Sequence, residues 1–508
     1  MVARIAATAH RAAQATLAPA GPRNWPASLG FYVLAGFVLR LIMLGKPAYQ
    51  SDEQFYLLVG QRMASGAIPY VDIWDRKPWG LFAIFRSVYA LPIDPVLAYQ
   101  IIGLAFSVLT ALVIERMARF IAPPAAARLA GLAYLVWQPV FNVALGQSPV
   151  FYNLPVALAA LMVLEARIRV RSHALARRGL QAMLLVGLAM QVKYTAVFEG
   201  VVFGLMLLAR ARADGWTAGR LAVVGMGWVG AALAPTLAVL LCYHLGGHGN
   251  AFVQANFVSI LGRSTDIGEA LVRLTKEALA LLPFGLAILL APRLISPARG
   301  TRAAVLPDLR LWGLAALGGF LIFGTWYDHY LGPVLVPLCV LAAPALGRTA
   351  AGERWFGQVL LGFGLLGAIA VPMAQVVERG TAAQFASASD AVARELHGRC
   401  LFVYEGDSAL YRTTQACIPT RFAYPSHLNA LNEARALGTD PVAETQRILA
   451  SRPGVVVTSE TRRPNHVNGA TRALVREALR RHYRKYAVVA LGTRKFALWK
   501  LRDFNVRR

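Results

Sequence analysis

Residues 220–243, RLAVVGMGWVGAALAPTLAVLLCY, carry a single charged side chain, at the first position. A helix that crosses the hydrocarbon core of a bilayer needs about 20 consecutive, mostly apolar residues. This stretch therefore predicts a membrane-spanning helix. Comparable apolar stretches recur through the first three quarters of the chain, and together they decide the fold.

The composition supports the same interpretation. The 508 residues are 57% hydrophobic and 15% charged, and the mean hydropathy is +0.49. An ordinary soluble protein is less apolar and carries more charge. By length and hydropathy we predict about eleven membrane spans. They fall near residues 29–46, 96–121, 128–146, 149–166, 179–192, 195–210, 220–243, 271–291, 311–326, 330–347 and 355–374.

The formal net charge of +26 is explained by loop arginines. They concentrate near residues 116–128, 167–178, 210–220, 293–310 and 348–354. These loops alternate as cytoplasmic, since short cytoplasmic loops collect Lys and Arg. No nucleic-acid-reading motif accompanies the charge, so we expect no nucleic-acid partner. Residues 1–28 are predicted to be a cytoplasmic tail, although a transit peptide has a similar composition.

The last part of the chain changes character. Residues 375–508 contain short strand-like runs, LFVYE, VVVTS and YAVVAL, between helical stretches. They predict a small α/β domain, external because an odd number of spans follows a cytoplasmic N-terminus. Cys400 and Cys417 could form a disulfide in such a compartment. Cys242 and Cys339 lie in apolar runs and are expected to be packing residues.

The first external loop, predicted over residues 47–95, begins with an acidic pair. Asp52 and Glu53 follow the first apolar run directly, where carboxylates are costly beside a bilayer and call for a reason. One alternative is structural: Ser51 or Asp52 could simply cap a helix that continues to Met63.

Further along the loop, cationic and acidic residues alternate. Asp75-Arg76-Lys77-Pro78 places cations beside carboxylates at the membrane surface. Such a set suits a site that holds a phosphate while a carboxylate moves a proton. Lys77 could instead be an interfacial lysine that extends its ammonium toward water.

These motifs resemble the GT-C superfamily of polyprenyl-phosphate-sugar glycosyltransferases, in particular its protein-mannosyltransferase-like, aminoarabinose-transferase-like and galacturonosyltransferase-like branch (families 39 and 83). The resemblance covers most of the chain, and its motifs are specific in their order and membrane placement. They are Tyr49-x-x-Asp52-Glu53-x-x-Tyr56, Gly66-x-x-Pro69-Tyr70-x-Asp72, Lys77-Pro78, Lys193-Tyr194-Thr195-Ala196, His329-Tyr330-Leu331 before Pro337, and Thr420-Arg421-Phe422-x-Tyr424-Pro425.

The resemblance implies roles for three residues. Asp52 matches the catalytic aspartate that acts as general base on the acceptor hydroxyl, and Glu53 matches the neighbouring acid. Lys77 matches the lysine that contacts the carrier phosphate. The chain departs from the family in having Arg76 before this lysine, where an acid is common, and Trp79 in place of a second proline.

The departure at Arg76 bears on cofactors. It weakens any claim of a bound metal, although a divalent ion stays open, and it offers Arg76 as a second phosphate contact. Three further candidates are weaker. Lys193 could contact the lipid phosphate, or extend to the interface like other lysines. His329, in a polar turn, could bind donor or metal, or be structural, and Tyr56, one helical turn from Asp52, could shape the site.

The resulting expectation is an all-α polytopic membrane domain over residues 29–374, with a small extracytoplasmic α/β domain over 375–508. It would sit in a bacterial inner membrane and transfer a sugar from a polyprenyl-phosphate donor to a glycan, lipid or protein acceptor, with inversion. The main alternative is a polytopic lipid or glycan transporter, which would place ionisable groups near the midplane of the bilayer. A non-catalytic assembly protein would leave Lys77 unexplained.

Overall fold

The computed structural model describes residues 25–168, 172–290, 301–347, 355–461 and 466–502. The predicted tail through residue 24 and parts of the arginine-rich loops lie outside these residues. In chain order the helices of the first part are α1 Trp25–Val38, α2 Ser51–Ala64, α3 Trp79–Ser87, α4 Pro95–Ala118, α5 Pro124–Trp137, α6 Ser148–Ile168, α7 Ser172–Met190, α8 Ala196–Ala213, α9 Ala218–Leu245, α10 Gly249–Val253, α11 Ile267–Leu290, α12 Thr301–Leu321, α13 Gly332–Ala342 and α14 Trp355–Arg379.

The remaining elements alternate helices with strands. They are α15 Ala382–Ala393, β1 Leu401–Val403, α16 Ala409–Thr413, α17 Ser426–Asn429, α18 Pro441–Ala450, β2 Val455–Ser459, α19 Gly469–His482, β3 Tyr483–Leu491 and β4 Arg494–Leu501. The predicted architecture, an all-helical polytopic membrane domain with a small C-terminal α/β region, is confirmed.

The predicted membrane spans correspond to helices. Every one of them overlaps a helix between α1 and α14. Within the described residues, six helical segments are long and apolar enough to cross a bilayer, and α1 is a shorter apolar helix. The exposed apolar side chains of α9 are typical of a helix that faces lipid: Val223, Met226 and Leu241 are each more than half exposed.

The chain forms two compact units. The first contains the residues up to Leu41, Ile101–Thr236 and Ile267–Ala370, which supply most of the apolar helices. Its interior includes Arg40, which is fully buried. Arg40 Nε donates to the carbonyl of Ala144 at 2.7 Å, and Nη2 donates to Gln138 Oε1 at 2.5 Å. These bonds offset the cost of removing a charged group from water.

The second unit contains Ile42–Gln100, Leu237–Asp266 and Val371–Arg508. It therefore combines the predicted first loop with the C-terminal α/β region. The four-stranded sheet has the order β1-β2-β4-β3. β1 pairs with β2 in parallel, whereas β2–β4 and β3–β4 are antiparallel. Val455, Val456 and Val457 are fully buried in the sheet, and a disulfide joins Cys400 to Cys417.

Candidate functional site

The acidic pair lies in the first turn of α2. The helix starts at Ser51, and its N-cap position is occupied by Gln50 rather than by Ser51 or Asp52. The alternative in which one of these two residues caps the helix is therefore wrong. Carboxylates in a first helical turn are stabilised by the positive end of the helix dipole. This placement puts both acids at the positive end of the α2 dipole.

Asp52 is the accessible member of the pair. It is partly exposed, and its Oδ1 accepts a hydrogen bond of 2.8 Å from the hydroxyl of Tyr424. Burial and the nearby Asp52 charge raise the pKa of Tyr424 well above its ordinary value. Tyr424 therefore stays a neutral donor across the physiological range. It orients the carboxylate without neutralising its charge.

Glu53 has a different environment. It is only 1% exposed, and its Oε2 accepts a hydrogen bond of 3.1 Å from the hydroxyl of Tyr99. The same hydroxyl accepts a 3.2 Å bond from Gln54 Nε2. A buried carboxylate needs such partners. Glu53 is therefore a buried, hydrogen-bonded carboxylate, whereas Asp52 is partly exposed.

The loop after α2 is held by a tight turn. Asp72 Oδ2 accepts a 2.7 Å bond from the backbone N–H of Ile68, and Tyr70 adopts a left-handed conformation with φ 70°. The ring of Tyr70 packs against Tyr243, and its hydroxyl donates to the carbonyl of Lys77 at 2.9 Å. Hence the Gly66–Asp72 motif positions the segment that carries Lys77.

Lys77 faces the aromatic side of α2. Its Nζ lies 5.8 Å from the ring centroid of Tyr56, a geometry in which the ring attracts the ammonium. Nearby Asp75 is 8% exposed. Burial raises the pKa of Asp75, while the charges of Lys77 and Arg76 oppose the rise and that of Asp52 adds to it. Asp52, Asp75 and Lys77 are thus within electrostatic reach of one another.

Arg76 is bound by an acid of the C-terminal region. Nη1 donates to Glu433 Oε1 at 3.2 Å, and Nη2 pairs with Oε2. Arg263 contacts the same carboxylate at 3.0 Å. Burial alone would raise the pKa of Glu433, but the hydrogen bonds and charge of Arg76, with Arg263, hold it at about 2. Glu433 therefore stays ionised and fastens the loop.

His427 lies beside this cluster. It is 4% exposed, and its ring is 4.8 Å from that of Trp74 in an edge-on arrangement. Burial, followed by the charge of Arg76, lowers the pKa of His427 to about 3. The backbone N–H of Trp74 also donates to the carbonyl of Arg421 at 2.8 Å. The ring of His427 therefore stays neutral at neutral pH, and it packs among aromatic side chains.

The other two sequence candidates belong to the first unit. Lys193 Nζ lies 3.8 Å from the ring centroid of Tyr330, and the ring of His329 is 4.7 Å from the same ring. Buried Glu199 lines a small cavity together with Lys193 and accepts a 2.7 Å bond from Trp312 Nε1. The structure therefore brings Lys193 and His329 together around Tyr330.

Sequence reasoning overlooked the partners of the loop residues. Tyr424 was within a matched motif, Thr420 to Pro425, so its role could have been anticipated. Glu433 and Arg263 carry no comparable signal. Among the described residues, no group of three or more His, Cys, Asp or Glu side chains is placed to hold a metal ion.

Known proteins are similar to this chain in fold. No protein-family model matches the chain, and no curated protein matches it significantly. Several solved structures do match it in fold. The crystal structure of ArnT from Cupriavidus metallidurans bound to undecaprenyl phosphate is similar with a TM-score of 0.65 and 15% sequence identity, covering 94% of this chain and 98% of ArnT.

A second similar structure is the archaeal oligosaccharyltransferase AglB from Archaeoglobus fulgidus, in complex with an inhibitory peptide and a dolichol-phosphate. The TM-score is 0.53 and the identity 12%, covering 85% of this chain and 69% of AglB. At these identities the similarity concerns the fold. This chain therefore shares its fold with ArnT and AglB.

Proposed function

We propose that this protein is a membrane glycosyltransferase, which moves a sugar from a polyprenyl-phosphate carrier to an acceptor of the cell envelope. The observation that carries the proposal is the Asp52–Tyr424 pair. It presents a partly exposed carboxylate, held by a neutral donor, at the start of a helix just outside an apolar segment. The solved structures of similar fold that hold undecaprenyl phosphate and dolichol-phosphate support the lipid-linked donor.

In this mechanism Asp52 is the general base. Its carboxylate takes the proton of an acceptor hydroxyl as the acceptor oxygen attacks the anomeric carbon. The bond from that carbon to the phosphate oxygen breaks, and the carrier phosphate leaves with the electron pair. Attack opposite the leaving group inverts the anomeric carbon. Proton removal by a placed carboxylate contributes about 10²- to 10⁴-fold to such a reaction.

Lys77 is proposed to bind the carrier phosphate. An ammonium near the leaving phosphate stabilises the charge that develops on it. Tyr56 holds Lys77 in place through its ring. That Arg76 adds a second phosphate contact stays a prediction, and its guanidinium is bound to Glu433. Lys193 as a phosphate ligand and His329 as a site-shaping residue also stay predictions.

The membrane orientation is part of the proposal. The N-terminus would be cytoplasmic, and residues 375–508 would be in the periplasm of a bacterial inner membrane. The disulfide between Cys400 and Cys417 supports an oxidising compartment for this region. The donor sugar would then be transferred on the outer face, to a glycan, lipid or protein.

The proposal is tested by transfer of radiolabelled sugar from membrane-bound polyprenyl-phosphate donors to envelope acceptors. Wild type is compared with Asp52→Asn in equal, correctly inserted amounts. Asp94→Asn is the matched control, because Asp94 is an exposed acid whose Oδ1 caps α4 at the backbone N–H of Val96, 2.9 Å away. We expect transfer by wild type and the control, and its loss in Asp52→Asn with donor binding retained.

Two results would contradict the proposal. Full activity of Asp52→Asn would remove Asp52 as the base. Failure of wild type on every donor, together with movement of lipid-linked sugars across vesicles that contain the protein, would favour the transporter.

A further inference from the structure

A cavity of about 400 Å³ opens next to the Asp52–Tyr424 pair, inside the second unit. Ser51 and Tyr424 form part of its wall, and Tyr424 donates to Asp52. The volume falls within the range of about 300–1,000 Å³ that is typical of small-molecule sites. The cavity is therefore large enough for a ligand and lies beside the base.

The charges around the cavity are balanced. Arg494 lines it, and Nη2 of Arg494 contacts Asp407 Oδ2 at 3.0 Å and the carbonyl of Arg379 at 3.2 Å. Asp407 is 1% exposed, so the carboxylate of this ion pair is buried. Arg379 lines the cavity together with Glu378, its neighbour in the chain. The two guanidinium groups are thus matched in number by the two carboxylates of Asp407 and Glu378.

Ser408 provides a second, independent observation. The residue is 1% exposed and lines the cavity. Its hydroxyl has no hydrogen-bond partner within the described part of the chain. Burying a polar atom without a hydrogen-bond partner is unfavourable. A ligand hydroxyl in the cavity would satisfy it.

The rest of the polar wall is made of hydroxyl groups. Ser426, Ser459 and Thr461 join Ser51 and Ser408 there. Each hydroxyl can donate one hydrogen bond and accept others, whereas a guanidinium only donates and a carboxylate only accepts. Such a mixed wall complements a ligand whose groups also donate and accept. Sugar hydroxyls have this property.

We propose that this cavity is the acceptor subsite and that the acceptor it takes is a neutral saccharide. The inference rests on the proposed function, since it assigns the molecule whose hydroxyl Asp52 deprotonates. A phosphate or carboxylate would need net positive charge, which Asp407 and Glu378 remove. A polypeptide segment would present fewer hydroxyls to the wall.

The test uses wild-type protein in lipid nanodiscs and saturation-transfer NMR with cellobiose, chitobiose and mannobiose. A serine- and threonine-containing peptide and inorganic phosphate are the rival probes. We expect at least one disaccharide to bind, and neither rival to compete with it. Ser408→Ala should weaken disaccharide binding by about 2- to 10-fold, the effect of losing one neutral hydrogen bond.

Stability separates a ligand contact from a structural one. Because the Ser408 hydroxyl lacks a partner among the described residues, its removal should leave the thermal unfolding midpoint unchanged or raise it. The matched control is Ser389→Ala. Ser389 is a buried serine of the same unit whose Oγ is 2.7 Å from Thr413 Oγ1. This control should leave binding at the wild-type level.

Equal disaccharide affinity of wild type and Ser408→Ala would overturn the inference, as would binding of the peptide or phosphate alone or of no disaccharide. These outcomes differ from a failure of the proposed function, because binding needs no donor. A protein that binds disaccharide at Ser408 but transfers nothing refutes only the transferase. A protein that transfers sugar with unchanged acceptor KM in Ser408→Ala refutes only the cavity.

Discussion

Two carboxylates of the second unit connect the first loop to the C-terminal region, and their surroundings differ. Asp52 of the loop meets a neutral phenol, Tyr424, and stays partly exposed. Glu433 of the C-terminal region meets two guanidinium groups, from Arg76 and Arg263, and is 6% exposed.

The difference between these surroundings suits the two carboxylates to different roles, one in catalysis and one in holding the loop in place. A carboxylate already paired with two cations has its charge satisfied, and its proton affinity is too low for a base at neutral pH. Asp52, by contrast, is partly exposed and receives a hydrogen bond from the neutral hydroxyl of Tyr424. We therefore expect Asp52 to affect the rate and Glu433 to affect stability.

The largest expected effect is on the rate. Asp52→Asn should lower kcat of transfer by about 100-fold or more, because general-base assistance is lost. Its thermal unfolding midpoint in detergent should remain that of wild type, since the amide can still accept from Tyr424. A midpoint that falls with the rate would show that Asp52 is structural as well.

For Glu433→Gln the expected effect is on stability rather than on rate. Removing this charge takes away the carboxylate that both Arg76 and Arg263 contact in a largely buried position, which costs about 3 kcal/mol or more. The thermal unfolding midpoint should drop. Glu477→Gln is the control, since Glu477 pairs with Arg480 on the protein surface and such pairs contribute little. An unchanged midpoint in Glu433→Gln would remove the distinction between the two carboxylates.

A smaller effect is expected for Tyr424→Phe. Losing a hydrogen bond to a charged group should reduce kcat/KM by about 10-fold. The acidic limb of the pH–rate profile should move to higher pH, since the lost bond favours the ionised carboxylate. Tyr89→Phe, which removes a 3.0 Å bond to the carbonyl of Leu57, should shift neither. A lower rate with an unmoved limb would make Tyr424 merely structural.

The smallest effect near neutral pH is a pH dependence of stability. The pKa of His427 is lowered from the ordinary 6.5 to about 3 by burial. Between these values the unfolded chain binds more protons than the folded one, so stability declines as pH falls below 6.5. His427→Gln should flatten the unfolding midpoint in this window. An equally steep decline in the variant would assign the dependence to other groups.

The helices and strands could largely be predicted from the sequence. Apolar runs near 20 residues have few alternatives to a helix. The bilayer offers no hydrogen-bond partners, so the backbone N–H and C=O groups must bond to one another. The strand-like runs likewise fall in or at the edges of β1, β2 and β3. These are local properties of the chain, so local patterns predicted them.

The candidate site was only half predictable. Asp52, Glu53 and Lys77 were selected from the loop, but which acid is open to solvent depended on Tyr99 and Tyr424. Those partners lie far away in the chain, 46 residues from Glu53 and 372 from Asp52. Sequence patterns carry little information on such separations.

The sequence by itself determined the membrane class, the apolar helices and the residue types available for chemistry, because hydropathy and charge act locally. Only the tertiary structure decided that Arg76 is bound to Glu433, that Asp52 is held by Tyr424 and that a hydroxyl-lined cavity lies beside the base. The physical reason is that charge satisfaction and burial depend on which distant segments pack together.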